Sequence, residues 1–455
     1  MAEKGNHIRQ IAQSLLRETL NELSPKRLMK QRLRRDGAQL RIRPREKPDG
    51  GELAAARTYR PENYQRRLVL ALGKAAAPMW LAWRELAELP GEEWESLLIS
   101  PSPGIAAEGC PGAAPRQFRG GHPEPNADSR AGAEAMLAAA RALEPPAFIV
   151  HLISGGGSAL AESPLEAGWD MKTMQALYRQ LVGCGAPIGE INALRKHLSS
   201  FKGGRLAAAA AAGVEQLTIL LSDVPAGEAD NISSGPTLPD NSTVEDCYRI
   251  HAARQLQLPA AMEKLFRERR LPETPKPGAA GFAQSRWVIA GDNHLACETL
   301  AQQARAAGYE PVIDHRADEA EHREAAEYLL RRWRALRQEQ PRACLIAGGE
   351  VRVQVPERTG RGGRNQAFAL ECAARLRPTD PATIASLGTD GVDGNSPAAG
   401  AIVDATTRAR AARAGYSLER AAADFDAYRL LAAIGDTIET GPTGNNLRDL
   451  RIFIS

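Results

Sequence analysis

Five short, uniformly apolar runs each stop at a turn rich in glycine or aspartate, and that recurring join limits the fold more than any other feature. Leu68-Val69-Leu70-Ala71-Leu72 ends in Gly73-Lys74, Ala147 to Ile153 ends in Ser154-Gly155-Gly156-Gly157-Ser158, and Leu217 to Leu221 ends in Ser222-Asp223. Cys344 to Ala347 ends in Gly348-Gly349-Glu350, and Thr383 to Leu387 in Gly388-Thr389-Asp390. Such runs suit strands covered on both faces, and the stretches between them are long enough for helices, which predicts parallel α/β layers. Ligands of such sheets bind beyond the carboxyl ends of the strands. The polar residues at these turns are therefore expected on one edge of their sheet.

The loop after Ile153 carries almost no side chains. Three successive glycines let backbone N–H groups approach and cradle an anion, although a plain tight turn uses the same residues. No GxxxxGK[ST] occurs in the chain, and Leu160 stands where the last glycine of GxGxxG would fall. Both the P-loop and the dinucleotide fingerprint are therefore missing.

A chain of 455 residues exceeds the size at which one core keeps growing, so two domains are expected. The breaker-rich segment Leu271-Pro272-Glu273-Thr274-Pro275-Lys276-Pro277-Gly278 predicts the boundary, giving domains 1–275 and 286–455. Pro111 to Pro125 reads as a long loop inside the first domain. In the second, Trp287 to Ala290, Pro311 to Ile313 and Val351 to Val355 read as strands. Leu450 to Ile454 alternates enough for a half-exposed edge strand, so this domain is α/β with a mixed sheet.

The longest apolar tract, Leu206 to Ala212, is far short of the roughly 20 residues a membrane span needs, which argues against a membrane partner. Six cysteines, none within a CxxC spacing, indicate neither a zinc site nor a disulfide framework and fit a reducing cytoplasm. Met1 to Leu23 reads as an amphipathic helix whose Glu3, Glu18 and Glu22 argue against an import presequence. Residues 1–67 hold 17 Lys and Arg against 8 Asp and Glu. Tyr59 and Tyr64 are that arm's only aromatics, so no stacking platform for nucleic acid is visible and a solvated helical face explains the charge.

The remaining polar residues form a set that phosphoryl transfer requires. It comprises Lys74, the glycine loop, Arg195-Lys196, Lys202 to Arg205, Asp223, Glu350, Arg361 to Gln366, Asp390, Asp393 and Gly441 to Asn446. Cations beside flexible backbone suit phosphate, and carboxylates in glycine-rich loops suit Mg²⁺ with retained waters. Taken singly, a lysine after a strand is a solvated residue, and Asp390 caps a turn. Calcium is disfavoured because Asp390 and Asp393 are three apart and no glutamate completes a twelve-residue loop.

The order of GKAA (Gly73 to Ala76), GHPEP (Gly121 to Pro125), LISGGGSAL (Leu152 to Leu160), INALRKHLSSFKGGRLA (Ile191 to Ala207), LSDVP (Leu221 to Pro225) and SSGPTLPD (Ser233 to Asp240) continues in the second half. There follow GGE (Gly348 to Glu350), GRGGRNQ (Gly360 to Gln366), GTDGVDG (Gly388 to Gly394), AAGAIVD (Ala398 to Asp404) and TGPTGNN (Thr440 to Asn446). This succession closely resembles the glycerate 2-kinases of the MOFRL type. The resemblance implies a Rossmann-like α/β/α domain followed by a smaller α/β MOFRL domain, with the active site in the cleft between them. It also implies ATP- and Mg²⁺-dependent phosphorylation of D-glycerate at its 2-hydroxyl; separately, a monomer or homodimer is expected, the sequence leaving the two open. By motif, Lys74 and Arg364 are the catalytic cations, and Asp223 and Asp390 are the base or metal ligands, with Asp393 a further ligand. Ser154, Gly155, Gly156, Gly157 and Ser158 would hold ATP phosphates, with Asn192, Lys196 and Lys202 on the same wall. Family members read SDVPGD where this chain has Ser222-Asp223-Val224-Pro225-Ala226-Gly227, so the second acid of that turn is missing. The enzymatic alternative is an NAD(P)H-dependent hydroxypyruvate reductase, against which the missing glycine counts. A nucleotide-sensing regulator is the non-enzymatic one, supported only by the basic arm.

Overall fold

The computed structural model describes residues 2–45, 52–53, 55–88, 93–101, 113–356 and 359–455; Cys110, Pro111 and Gly112 lie outside them. Two compact units emerge, Pro25–Ala290 and a second made of Met1–Ser24 with Gly291–Ser455.

Pro25–Ala290 contains a small antiparallel sheet, β1 (Leu33–Asp36), β2 (Gln39–Ile42) and β3 (Arg57–Tyr59). Its main sheet comprises β4 (Arg66–Leu72), β5 (Glu95–Ser100), β6 (Arg116–Arg119), β7 (Ala147–Ser154), β8 (Glu215–Leu221) and β9 (Ser285–Gly291). These lie in the order β6-β5-β4-β7-β8-β9, and β4 to β8 run parallel. Counted within the sheet this is the 3-2-1-4-5-6 order of doubly wound folds, whose direction of winding reverses between β4 and β7. Both strands are apolar over most of their buried length, His151 and Ser154 of β7 excepted, as suits strands covered on both faces.

One polar side chain interrupts β7. His151 is fully buried, its Nε2 is 2.9 Å from Gln216 Oε1, and burial pushes the imidazole down to about 4. It is neutral in the fold, with Nε2–H donating to Gln216. The stability it permits is complete above the unfolded histidine value of about 6.5 and declines as pH falls towards 4. A loss of about 3 kcal/mol over that window is expected from denaturant unfolding. His151→Gln should flatten that slope, whereas an unchanged slope would place the pH dependence elsewhere.

The segment 111–125 differs from the expected loop, because β6 forms within it as an edge strand paired with β5. Its Arg-Gln-Phe-Arg sequence has no apolar run to announce it, and charge is what an edge strand carries. Leu271 to Gly278 is no free linker either. Thr274 is buried and donates from Oγ1 to Asp240 Oδ2 at 2.8 Å, Asp240 N donates to Pro275 O at 3.0 Å, and His197 Nε2 is 2.8 Å from Glu273 Oε1. The prolines here pin an extended segment to its own unit, and the chain leaves that unit only at the end of β9.

Helix Ala2–Glu22 joins the other unit, burying Ala12, Leu15, Leu16 and Thr19. Arg9, on its polar side, donates to Asp404 Oδ2 at 3.1 Å and Ile402 O at 3.0 Å and pairs with Asp436. Tyr59 and Tyr64 of the basic arm stack on Phe148, with ring centroids 4.8 and 5.0 Å away.

This second unit holds β10 (Glu310–Ile313), β11 (Ala343–Gly348), β12 (Thr383–Gly388), β13 (Gly400–Asp404), β14 (Thr437–Ile438) and β15 (Asp449–Ile454), in the order β10-β11-β15-β12-β13-β14. The sheet is mixed, with β10 and β11 parallel and β15 antiparallel to both neighbours. The expected half-exposed edge at Leu450 to Ile454 is instead a central strand, buried at every residue. Its arginine is accommodated there. Arg451 donates to Gly349 O at 2.9 Å and Asp449 Oδ2 at 3.2 Å, and its Cζ lies 4.9 Å from the Phe368 ring centroid. The run Val351 to Val355 forms a single bridge, Arg352 to Glu321, and no strand. Among the described residues no helix is long and apolar enough to cross a membrane.

Candidate active site

In the Pro25–Ala290 unit the carboxyl ends of β4, β7 and β8 are level, with Leu72 opposite Ile153 and Ile153 opposite Leu220. Lys74, the glycine loop and Asp223 follow these ends directly. Lys74 N donates to Gly155 O at 2.9 Å, and Ala75 N to Ser154 Oγ at 3.0 Å. A Cβ on Gly155 would lie 1.7 Å from Asp223 Oδ2, so the carboxylate rests on the glycine backbone. Gly156 has φ +83°, and a Cβ there would lie 3.0 Å from Lys74 Cγ. A carboxylate and an ammonium stem thus lie against successive glycines at the reversal point of the sheet.

A second segment holds this loop in shape. Ser233 Oγ accepts from Gly157 N at 3.0 Å and donates to Ser154 O at 2.6 Å. Ser234 Oγ is 2.7 Å from Ser158 Oγ and donates to the buried Asn192 Oδ1 at 3.1 Å. Both serines are left-handed, with φ +53° and +58°, a conformation costing L residues about 1–2 kcal/mol each. The Gly157 amide is therefore engaged within the fold, which leaves the loop before it for a ligand.

Lys196 and Lys202 depart from the expected phosphate wall. Lys196 Nζ lies 2.9 Å from Asp230 Oδ2 and 3.0 Å from Asp240 Oδ1, and Lys202 Nζ lies 2.5 Å from Glu162 Oε2 and 3.0 Å from Ala161 O. Both are buried, and an ammonium stripped of water needs such partners. Burial lowers the basicity of Lys202, with Glu162 opposing. Lys202 is linked to the loop through Tyr178, whose Oη is 2.5 Å from Ser158 O and 2.7 Å from Glu162 Oε2, whereas Lys196 ties Asp230 to Asp240.

The second unit assembles a separate cluster. β11 and β12 both run antiparallel to β15, so their carboxyl ends share an edge with Asp449, the first residue of β15. Arg364 opens the helix Arg364–Arg375 at that edge. Its Nε donates to Asp449 Oδ2 at 2.7 Å, and its Nη2 to Asp449 Oδ1 at 3.0 Å and Glu350 Oε1 at 2.6 Å. Burial opposes the guanidinium charge, but Asp449 and Glu350 raise its pKa above the usual arginine value. Burial also works to raise the Asp449 carboxyl, which Arg364 and Arg451 nevertheless hold below its ordinary value. Asp318 fixes the adjoining loops, accepting from Glu350 N at 3.0 Å and from Arg448 at 2.6 and 2.8 Å.

Asp390 lies beside this cluster, half-buried, with Oδ1 accepting from Val392 N at 3.1 Å. Asp393 does not fit the expected role of metal ligand. It is buried and accepts from Asn365 N at 3.0 Å, Gln366 N at 2.8 Å and Gln366 Nε2 at 3.0 Å, capping the helix that Arg364 opens. Burial pushes its carboxyl up to about 6. Among the described residues no three His, Cys, Asp or Glu side chains converge as a metal site. Asp449 is a participant that sequence reasoning missed, and Ser233 and Ser234 were quoted in the SSGPTLPD motif without a role. An acid placed just ahead of an apolar run was the available signal for Asp449.

Comparison with known proteins adds an independent line. Residues 11–267 match the family described as a domain of unknown function (DUF4147), and residues 343–449 match the MOFRL family. The chain is 34% identical over 395 residues to a protein of Agrobacterium vitis named "Putative hydroxypyruvate reductase", covering 86% of this chain and 87% of that one. It is 32% identical over 394 residues to the D-glycerate 2-kinase of Thermotoga maritima, covering 86% and 91%. The crystal structure of a glycerate kinase from Thermotoga maritima superposes with a TM-score of 0.79 at 28% identity, covering 99% of each chain. By these matches and by its ordered motifs, the chain belongs to the MOFRL-type glycerate 2-kinase family.

Proposed function

We propose that the protein transfers the γ-phosphoryl group of ATP to the 2-hydroxyl of D-glycerate, giving 2-phospho-D-glycerate and ADP. The observation that carries this reading is the packing of Lys74 and Asp223 against Gly155 and Gly156 at the reversal point of a doubly wound sheet. Anions are bound at such points by bare backbone and a nearby cation. In this reading the glycine loop receives the phosphates, and Lys74 and Arg364 neutralise charge on the moving group. The substrate hydroxyl oxygen bonds to phosphorus as the bond to the ADP oxygen breaks, and the hydroxyl proton passes to Asp223 or Asp390. Asn192, through Ser234, positions the loop.

Mg²⁺ at such sites needs only one or two carboxylates beside phosphate oxygens and water, so the lack of a preformed cluster is compatible with it. Asp223 and Asp390 fit that requirement, and Asp393, already saturated by N–H donors, does not. When bound, the ion would neutralise phosphate charge.

The name of the Agrobacterium relative favours a second reading, reduction of hydroxypyruvate, which the missing GxGxxG opposes. Glycerate-dependent ADP formation, with the product assigned as 2- or 3-phosphoglycerate by phosphorus NMR, tests the kinase. NADH oxidation by hydroxypyruvate without ATP tests the reductase. Turnover undiminished by EDTA would remove Mg²⁺ from the proposal.

Ser233→Gly provides an internal check, since it relieves a left-handed serine while deleting both of its hydrogen bonds to the loop. The melting temperature should stay within a few degrees while KM for ATP rises about tenfold, the scale of one lost hydrogen-bond pair. An unchanged KM would mean that the serine does not set the loop.

A further inference from the structure

We propose that Arg195 binds the carboxylate of the hydroxy-acid substrate, in the Pro25–Ala290 unit beside the glycine loop. The proposal rests on the kinase reading above and names the residue that would recognise the acid.

Arg195 lies in the last turn of the helix Ile188–His197. Its Cζ is 4.6 Å from the centroid of the Tyr178 ring, and the Tyr178 hydroxyl is 2.5 Å from Ser158 O, so one rigid side chain ties the guanidinium to the loop. Its neighbours in sequence have their charges answered. Lys196 pairs with Asp230 and Asp240, Lys202 with Glu162, and Arg205 donates to Lys196 O at 3.2 Å. Among the described residues no acceptor serves Arg195, and its Nε is buried without a hydrogen-bond partner. Glu162, the acid that accepts from the Tyr178 hydroxyl, is already neutralised by Lys202. A buried donor without an acceptor is unfavourable, so an acceptor supplied from outside the chain is indicated.

His122, from the Gly121 to Pro125 motif that the mechanism does not use, supports this. Desolvation, Lys74 and Arg195 all push its imidazole down. The two cations therefore bear on one imidazole, which can hydrogen-bond a hydroxyl or an oxyanion. An oxyanion is the shared chemistry, from a carboxylate or a phosphate. The carboxylate is favoured because the glycine loop and Lys74 already serve phosphate, while the planar guanidinium fork matches a carboxylate in two bonds.

The test compares D-glycerate with its uncharged amide in wild type, Arg195→Gln and Arg195→Lys, each checked by circular dichroism and thermal unfolding. Arg195→Gln should raise KM for glycerate roughly 100-fold, the scale of losing one partner of a desolvated charge pair. It should leave KM for ATP within about threefold and erase most of the preference for acid over amide. Arg195→Lys should recover only part of the loss and carries the test if the glutamine variant does not fold. A raised KM for ATP with glycerate unaffected would make Arg195 a phosphate ligand and overturn the proposal. Unchanged constants for both substrates would leave it a packing residue and overturn it equally. Absence of glycerate-dependent ADP formation in wild type would instead sink the kinase reading, and this proposal with it.

Discussion

Arg364→Ala should lower kcat by roughly 100-fold or more with only a modest rise in KM for either substrate, the scale of losing one preorganised donor. The geometry explains why a single side chain would matter so much. Arg364 is oriented before any ligand arrives, because Asp449 takes both Nε and Nη2 while Glu350 takes a second bond from Nη2. A donor already oriented needs no reorganisation when charge builds on the phosphoryl oxygens. Arg364→Lys should recover little, since a point ammonium cannot reproduce the two-pronged contact with Asp449. A variant with normal kcat and a raised KM for glycerate would assign Arg364 to the substrate carboxylate. That outcome would also contradict the role argued for Arg195, so the two kinetic series test one another.

The strand ends were legible because a strand buried on both faces must be apolar and must stop where the chain turns polar. β4 and β11 obey this over their buried length, β7, β8 and β12 admit a few buried polar side chains, and each of the five ends in the glycine- or acid-bearing turn read from the sequence. The parallel α/β layers followed from the same logic, whereas the Rossmann-like arrangement came from the family resemblance and the mixed sheet from the alternation in Leu450 to Ile454. β15 did not, because Arg451 suggested exposure, whereas the interior supplies Asp449, Gly349 O and the Phe368 ring to satisfy it. With the strand read as an edge starting at Leu450, Asp449 was given no role and the anchor of Arg364 was lost. Lys196 and Lys202 failed for a related reason. Spacing identifies cations near a glycine loop but cannot reveal that Asp230, Asp240 and Glu162 meet them in the interior. Ser233 and Ser234 open the SSGPTLPD motif, but their left-handed backbone and their bonds to a loop about 76 residues away in the chain are not visible in it.

Gly155→Ala should reduce kcat by about 100-fold with little change in thermal stability, because the added methyl displaces a neighbour in the site without opening the core. An alanine Cβ would lie 1.7 Å from Asp223 Oδ2 and 2.1 Å from its Cγ. One of the two must move by on the order of 1 Å, and a misplacement of that size in a positioned group costs roughly 100-fold in rate. Asp223 is the part that gives way, since it follows the end of β8 and is only half-buried, whereas the loop is fixed by Lys74 N and by Ser233 and Ser234. Gly156 should respond differently. A side chain there meets the flexible stem of Lys74 at 3.0 Å and must adopt φ +83°, so Gly156→Val should weaken ATP binding and cost about 1–2 kcal/mol in backbone strain. Calorimetry with ATP separates the two variants, Gly156→Val losing affinity and Gly155→Ala losing turnover at nearly normal affinity. If Gly155→Ala keeps kcat within about threefold of wild type, the position of Asp223 is irrelevant to the chemistry, and the proton acceptor must be sought at Asp390.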